Sequence, residues 1–218
     1  SGIIGGLYSS TATISVLARK SRKASEQEAT DYVAAMLLAV SMMFLRFMIL
    51  ILIFSREIFL SIYPYLLTMA VVAAIVAWFI HSRQKRPEDQ PAETEEDDSS
   101  NPLEFKVALI FAVLFVIFTF LTHYTLVYAG TGGLNLLSFV SGFSDITPFI
   151  LNLLQNTGSV VALIITACSM QAIISNIMVN MFYALFFAGK GSKLRPWILG
   201  GFGVVITCNL VLLLFFYI

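Results

Sequence analysis

The sequence has 218 residues, and its 13 acidic residues balance its 13 basic residues to give no net charge. Hydrophobic residues make up 58% and charged residues only 12%, which is about half the charged fraction of a soluble domain. With a mean hydropathy of +0.87, this composition excludes a soluble globular domain and predicts an all-α polytopic membrane protein. The zero net charge gives no support for nucleic-acid binding. The apolar composition makes the lipid bilayer the expected partner.

The first half of the chain, residues 1–80, is predicted to hold one partial helix and two spans. The sequence begins abruptly among apolar residues, without Met and without signal-peptide features, so we expect the first helix to be truncated. The apolar runs 32–54 and 58–80 are each long enough to cross a bilayer, which takes about 20 residues. The polar residues 55–57 are predicted to form the turn between them.

A charged segment, residues 81–102, follows the first half. It starts with basic residues and continues as an acidic, Pro-containing run without apolar periodicity. Such a composition cannot bury enough apolar surface to fold, so the segment is predicted to be a disordered, solvated linker. It separates the first half from the second half, residues 103–218.

The second half is predicted to contain a span, a re-entrant hairpin and two further spans, in the order 103–128, 134–156, 159–188 and 196–218. The positive-inside rule places three basic clusters in the cytoplasm, at residues 19–23, 83–86 and 190–195. All three reach the same side only if residues 134–156 enter and leave on the outer side. We therefore expect a helical hairpin broken near residues 141–145, within a prokaryotic cell membrane.

Asp145 and Arg46 are the only acid and the only base within the long apolar stretches. An ionised group in hydrocarbon costs at least about 2.5–3.5 kcal/mol, so such residues usually face a protein interior or an aqueous path. Gly142 and Pro148 interrupt the apolar run around Asp145, and a broken apolar segment with a lone carboxylate is typical of a transport site. Two alternatives stay open: a structural polar cluster, and an Arg46 side chain that extends to the membrane interface.

A short repeat relates the two halves. Residues 5–11 and 141–147 both read small, Gly, apolar, any, Ser or Asp, any, Thr, and each motif precedes a short helical stretch and two spans. Because the two stretches end on opposite sides, the pattern predicts inverted repeats with broken helices. The spans after the motifs carry polar groups about one turn apart, namely Ser41 with Arg46 and Ser175 and Asn176 with Asn180, and these faces are expected to look at the breaks.

These patterns predict a substrate site at the two breaks near the middle of the membrane. Its candidate residues are Ser9, Ser10, Thr11, Arg46, Ser144, Asp145, Thr147, Asn176 and Asn180. Hydroxyls, unwound carbonyls and Asp145 suit a cation or a proton, whereas helix N-termini with Arg46 suit an anion. The sign of the substrate's charge therefore stays open.

Enzymatic signatures are weak. His81 and His123 do not pair with an acid or a Cys at metal or nucleophile spacing, and Cys168 and Cys208 are isolated in apolar runs. One acid and one Arg are too few for an acid–base constellation, so we expect no enzyme activity and no cofactor. Whether a metal ion binds is left open.

The sequence resembles an uncharacterised integral membrane domain family, DUF4010, over most of its length. The resemblance rests on residues 5–13 and 17–21, on residues 101–109 and on residues 141–145. In this family the domain often accompanies an MgtC/SapB-type membrane domain, which implies ion or small-solute handling. The chain departs from the family pattern at Thr147, where a second acid is usual, and near Asn180, where a basic residue is often found.

The function predicted from these features is a transporter or channel for a small ion or polar solute. The alternative is a non-transporting scaffold or regulatory interaction protein, in which the polar groups hold helices together and the acidic linker recruits a partner. The assembly states left open include a homodimer.

Overall fold

The protein is helical throughout the part of the chain that the computed structural model describes, which comprises residues 10–22, 26–82, 103–143, 145–155, 161–189 and 194–217. Its helices are α1 (Ser10–Ser21), α2 (Glu26–Phe54), α3 (Arg56–Ser82), α4 (Leu103–Ser141), α5 (Ile146–Gln155), α6 (Ala162–Ala188) and α7 (Arg195–Tyr217). Residues 1–9 and 83–102, which hold most of the first motif and of the predicted linker, lie outside the described residues.

Four helices of the described chain are long and apolar enough to cross a membrane: Thr30–Phe54, Arg56–Ser82, Ala162–Ala188 and Arg195–Phe215. A core of buried apolar side chains joins them, and many large apolar side chains remain exposed on their outer faces. Lipid is the solvent that such outer faces require. The all-α polytopic membrane class is thus confirmed. The predicted span 103–128 falls within α4, where the side chains of residues 103–112 are not described.

Helices α2 and α3 form an antiparallel pair in the first half. Ser55 alone separates them, so the turn predicted over residues 55–57 is shorter than expected. Ser41 Oγ donates to the carbonyl oxygen of Ala70 at 2.8 Å near the middle of the pair. At one end His81 Nδ1 lies 2.8 Å from Asp31 Oδ1, so α3 ends beside the start of α2.

Gly130 breaks α4 into two arms, α4a (residues 103–129) and α4b (residues 131–141). Its φ of 58° and ψ of −147° are non-helical, and glycine tolerates this positive φ because it has no Cβ. A Cβ on Gly133 would lie 2.5 Å from the Ala129 Cβ, so the two arms approach closely at the bend. The chain between the predicted elements 103–128 and 134–156 is therefore helical except at Gly130.

Helix α4b runs parallel to α6. Cys168 lies against Asn135 near the start of both helices, and Asn176 lies against Gly142 where α4b ends. Asn176 is about 21 Å along α6 from Ala162, so α4b ends deep within the layer of helices.

Helix α5 turns back toward the end at which α6 starts. It has 10 residues, or about 15 Å of helix. The six steps of chain from Gln155 to Val161 span at most about 22 Å. If α5 continued in the direction of α4b, these residues would be about 36 Å apart along the axis. The arms α4b and α5 therefore form a helical hairpin, with Gly142 and Phe143 on one side of its tip and Asp145 on the other.

Helix α1 lies against the opposite end of α6. The guanidinium of Arg19 is 4.4 Å from the centre of the Phe187 ring, and a Cβ on Gly189 would lie 3.1 Å from Arg22 Nε. Because α1 packs along α6 and ends beside its last turn, α1 runs parallel to α6 and begins near its middle. Helices α1 and α5 thus start deep in the molecule and run to opposite ends.

The packing of the two halves corresponds helix by helix. Helix α1 contacts α2 and α6, and α5 likewise contacts α6 and α2. Helix α3 contacts α6, and α7 contacts α2, where a Cβ on Gly201 would lie 2.7 Å from Leu37 Cδ1. The C-terminal ends of α1, α3 and α6 lie at one end of the molecule. Each of these helix ends either contains one of the three basic clusters or comes directly before one in the sequence.

Candidate functional site

The C-terminal end of α4b is stabilised by side chains from α6. The last carbonyl groups of a helix lack intrahelical donors, and lipid supplies none. Ser175 Oγ donates to the carbonyl oxygen of Phe139 at 2.7 Å, and Asn176 Nδ2 donates to that of Gly142 at 3.1 Å. These bonds satisfy the end of a helix that stops inside the apolar layer.

Gly142 lets the hairpin tip approach α6 at van der Waals contact. A Cβ at this position would lie 2.4 Å from both Cβ and Oγ of Ser175 and 2.7 Å from the backbone nitrogen of Asn176. Any larger residue would displace the carbonyl groups that Ser175 and Asn176 cap.

Asp145 caps the N-terminus of α5. Its Oδ1 accepts hydrogen bonds from the backbone N–H of Thr147 at 2.9 Å and from the Thr147 hydroxyl at 2.7 Å. This is the usual N-cap arrangement, and the negative charge at a helix N-terminus is favourable by about 0.3–1 kcal/mol. Asp145 therefore has a structural role whatever else it binds.

Arg46 reaches the same cap from α2. Its Nη2 donates to Thr147 Oγ1 at 2.9 Å, so the Thr147 hydroxyl accepts from Arg46 and donates to Asp145. The guanidinium also lies 5.2 Å from the centre of the Phe47 ring. Arg46 is about 12 Å of helix from Phe54 and binds the hairpin instead of extending to the interface. The two intramembrane charges meet through one hydroxyl.

The three residues of this cluster differ in exposure. Thr147 is 9% exposed and Arg46 is half-buried, whereas Asp145 is exposed at the tip of the hairpin. Every hydrogen bond described for Asp145 is made by Oδ1. Its Oδ2 therefore remains available to a solute or to water.

Asn176 and Asn180 form a chain of amides that starts at the hairpin tip. Asn176 Nδ2 donates to Gly142, and Asn180 Nδ2 donates to Asn176 Oδ1 at 3.1 Å. Both side chains are buried, and Asn180 Oδ1 has no hydrogen-bond partner among the described residues. The predicted polar face of α6 thus does contact the hairpin tip.

The first motif contributes less to the described site. Ser10 is buried and Thr11 half-buried at the start of α1, and in the described chain no hydrogen bond joins either side chain to Asp145. Ser9 and Ser144 lie outside the described residues. The expectation for Ser41 was wrong, because its hydroxyl bonds Ala70 of α3 and does not face a break.

Sequence reasoning missed a second set of polar contacts between α4 and its neighbours. Ser138 Oγ lies 3.1 Å from Gln171 Oε1, Cys168 Sγ lies 3.4 Å from Asn135 Oδ1, and Asn152 Nδ2 donates to Thr119 Oγ1 at 2.7 Å. The signal was present in the spacing of 168, 171 and 175, which lie one turn apart on one face of α6. Within the described chain, no three His, Cys, Asp or Glu residues are grouped as metal ligands.

Comparison with known proteins places the chain in a family. Residues 1–188 match the family described as Domain of unknown function (DUF4010), and the protein belongs to this family. An uncharacterized protein of the bacterium Aquifex aeolicus is 24% identical over 216 residues, which cover 97% of this chain and 91% of that protein. No solved structure matches the sequence.

Proposed function

We propose that this protein is a transporter or channel for a small ion or polar solute, located in the prokaryotic cell membrane, and that it is not an enzyme. The observation that carries the proposal is the Arg46–Thr147–Asp145 cluster at the tip of a hairpin that ends inside the apolar layer. A carboxylate there, exposed and with one oxygen uncommitted, requires water or a solute beside it.

The free energy needed to keep ionised groups in hydrocarbon distinguishes this cluster from an ordinary packing contact. An N-cap can be made by Ser, Thr or Asn without any ionised group. Keeping Asp145 and Arg46 in hydrocarbon costs at least about 2.5 kcal/mol each on insertion scales. A binding or permeation role explains why charged residues stand where neutral ones would suffice.

The correspondence between the halves supports an inverted repeat. Helices α1 and α5 start deep in the molecule and run to opposite ends, and the two helices that follow each of them pack in corresponding pairs. In transporters built from such repeats, the substrate binds where the broken helices start. We place the substrate at the Asp145 break and extend the site to the start of α1 at Ser10 and Thr11.

A flux assay in proteoliposomes tests the proposal. The purified chain is reconstituted and screened with radiolabelled or fluorescently reported cations, anions and amino acids. We expect at least one solute to cross faster than in empty vesicles and Asp145→Asn to reduce that flux at least tenfold. Asp31→Asn is the matched control, because it removes a carboxylate that pairs with His81 at the end of the helices. Its flux should equal that of the wild type.

A scaffold without transport activity is the second candidate function. The observation that favours it is that Ser138, Ser175 and Asn176 are buried in contacts that hold the hairpin against α6. Each such contact contributes about 0.6 kcal/mol, so several together would suit a static assembly or a homodimer. No flux of any solute, together with loss of cellular function when residues 87–100 are deleted, would support the scaffold and reject transport.

A further inference from the structure

Asn180 carries a buried acceptor oxygen, Oδ1, on the side of α6 that faces the hairpin tip. Among the described residues on this side, it is the one buried polar atom that the contacts above leave without a partner. Asn180 is 0% exposed, and its Oδ1 has no donor in the described part of the chain. A buried acceptor without a donor costs about 1–3 kcal/mol, and such a group in a native structure indicates a bound water, ion or ligand.

The orientation of this amide follows from its neighbours. The Gly142 carbonyl can only accept, so Asn176 must present Nδ2 to it. Asn176 Oδ1 then faces Asn180, and Asn180 must present its own Nδ2. Turning either amide over would bring two acceptors or two donors together. The free atom at the inner end of the chain is therefore an oxygen.

The uncommitted oxygens near the tip share one chemistry. Asp145 Oδ2 carries negative charge and Asn180 Oδ1 is a neutral acceptor, and the amide chain from Asn180 ends three residues before Asp145. The backbone N–H of Thr147 and Nδ2 of Asn176 are already engaged. A ligand that fits these oxygens must carry positive charge or donate hydrogen bonds.

We propose that Asn180 Oδ1 and Asp145 form an acceptor-lined binding site for a small monovalent cation at the tip of the hairpin. This inference rests on the proposed function and assigns a positive charge to its substrate. Oxygen ligands of this kind suit an alkali metal ion as well as ammonium. Arg46 then acts as the resident cation that neutralises Asp145 when the site is empty. Its N–H donors make an anion the competing ligand.

Binding by the purified full-length chain in detergent tests the site without requiring transport. The thermal midpoint is measured in sodium, potassium and ammonium chloride against tetramethylammonium chloride at equal ionic strength. Tetramethylammonium is a cation without hydrogen-bond donors. We expect a saturable rise in the midpoint with at least one small cation. A metal ion and ammonium are distinguished by which salt gives the rise.

Asn180→Leu should weaken the apparent Kd for that cation about tenfold, the equivalent of one hydrogen bond to a charged group. The matched control is Asn209→Leu, which removes a buried amide that accepts from Tyr65 between α3 and α7, away from the hairpin. Its Kd should match the wild type. Should Asn180→Leu fail to fold, Asn180→Asp decides the question, because it retains the oxygen and should tighten cation binding.

Three results would overturn the site: a wild-type midpoint that no small cation raises, an unchanged Kd in Asn180→Leu, or a rise produced by anions in tetramethylammonium salts. The flux assay keeps this inference separate from the proposed function. Flux that depends on Asp145 with a cation Kd independent of Asn180 rejects only the Asn180 site. Cation binding through Asn180 without any flux rejects transport and leaves the site standing.

Discussion

The α2–α3 interface and the α4b–α6 interface differ in the residues that hold them together: the first is mainly apolar, and the second contains several hydrogen-bonding side chains. Helices α2 and α3 cross the whole apolar layer, and one described side-chain hydrogen bond joins them within it, from Ser41 to Ala70. Helix α4b stops inside the layer, and Ser138, Ser175 and Asn176 all bond across its contact with α6. Polar side chains are concentrated where a helix ends.

The difference follows from backbone chemistry. A helix that spans the layer satisfies its own carbonyl groups, so apolar packing alone can join it to a neighbour. A helix that ends in the layer has up to four carbonyl groups without a regular helical donor. Those of Phe139 and Val140 accept from the next turn of backbone, and the others need a side chain or a solute. The proposed transport site lies at the hairpin tip, because backbone groups that no helix satisfies can bind a solute there.

The largest expected effect concerns topology. Single cysteines at Asn156 and Lys190, introduced into a chain whose Cys168 and Cys208 are replaced by Ala, should be labelled from outside at position 156 and from the cytoplasm at position 190. The reason is that α5 turns back toward the start of α6, whereas residue 190 follows its end. Labelling of position 156 from the cytoplasm and of position 190 from outside would show that residues 134–156 cross the membrane, and would remove the distinction between the two interfaces.

Gly142→Ala and Gly201→Ala form a matched pair, because Gly142 lies at the α4b–α6 interface and Gly201 of α7 lies against Leu37 and Ile80 of the α2–α3 pair. At Gly142 the new Cβ meets Ser175 and the Asn176 backbone, which cannot yield without moving α6, so we expect a loss of about 2–3 kcal/mol. At Gly201 it meets the flexible end of Leu37, so the loss should stay below about 1 kcal/mol. Chemical unfolding in mixed micelles measures both values, and equal losses would contradict the close approach at the hairpin tip.

A double-mutant cycle tests the junction of Arg46 and Asp145. Asp145→Asn keeps an N-cap but removes the charge, and Arg46→Gln leaves the carboxylate without its counter-charge. We expect each single change to cost about 1–3 kcal/mol and the double change to recover about 1 kcal/mol of the sum. Unfolding midpoints of the four proteins give the coupling. Strictly additive losses would mean that the Thr147 hydroxyl does not join the two charges.

The smallest expected effect is a difference in stability between two serine-to-alanine changes. Both serines donate hydrogen bonds of similar length. Ser175→Ala should cost about 1 kcal/mol, because Phe139 lies in the last turn of α4b, where the Gly142 N–H at 3.3 Å replaces the regular helical donor to its carbonyl. Ser41→Ala should cost less than about 0.5 kcal/mol, since Ala70 lies inside α3 and its carbonyl is already bonded in the helix. Equal costs in the same unfolding assay would show that helix ends and helix interiors are stabilised alike.

Much of the candidate site could be predicted from the sequence because charge is so costly in lipid. Asp145 and Arg46 stood out as isolated ions, and Gly142 and Pro148 marked the break beside them. The role of Thr147 as the bridging hydroxyl could not be predicted, since it depends on the rotation of α2 relative to α5. Ser41 was misassigned for the same reason: a polar residue on a helix reveals its face but not which neighbour that face meets.

The sequence by itself determined the solvent, the helical class and the family, because apolar composition and span length depend only on which residues are present. The tertiary structure alone decided which side chains cap the hairpin and that Asn180 ends the amide chain with an unpaired oxygen. The contacts from α6 and α2 to the hairpin join residues 34 to 101 positions apart. They depend on the packing of whole helices, which local spacing does not encode.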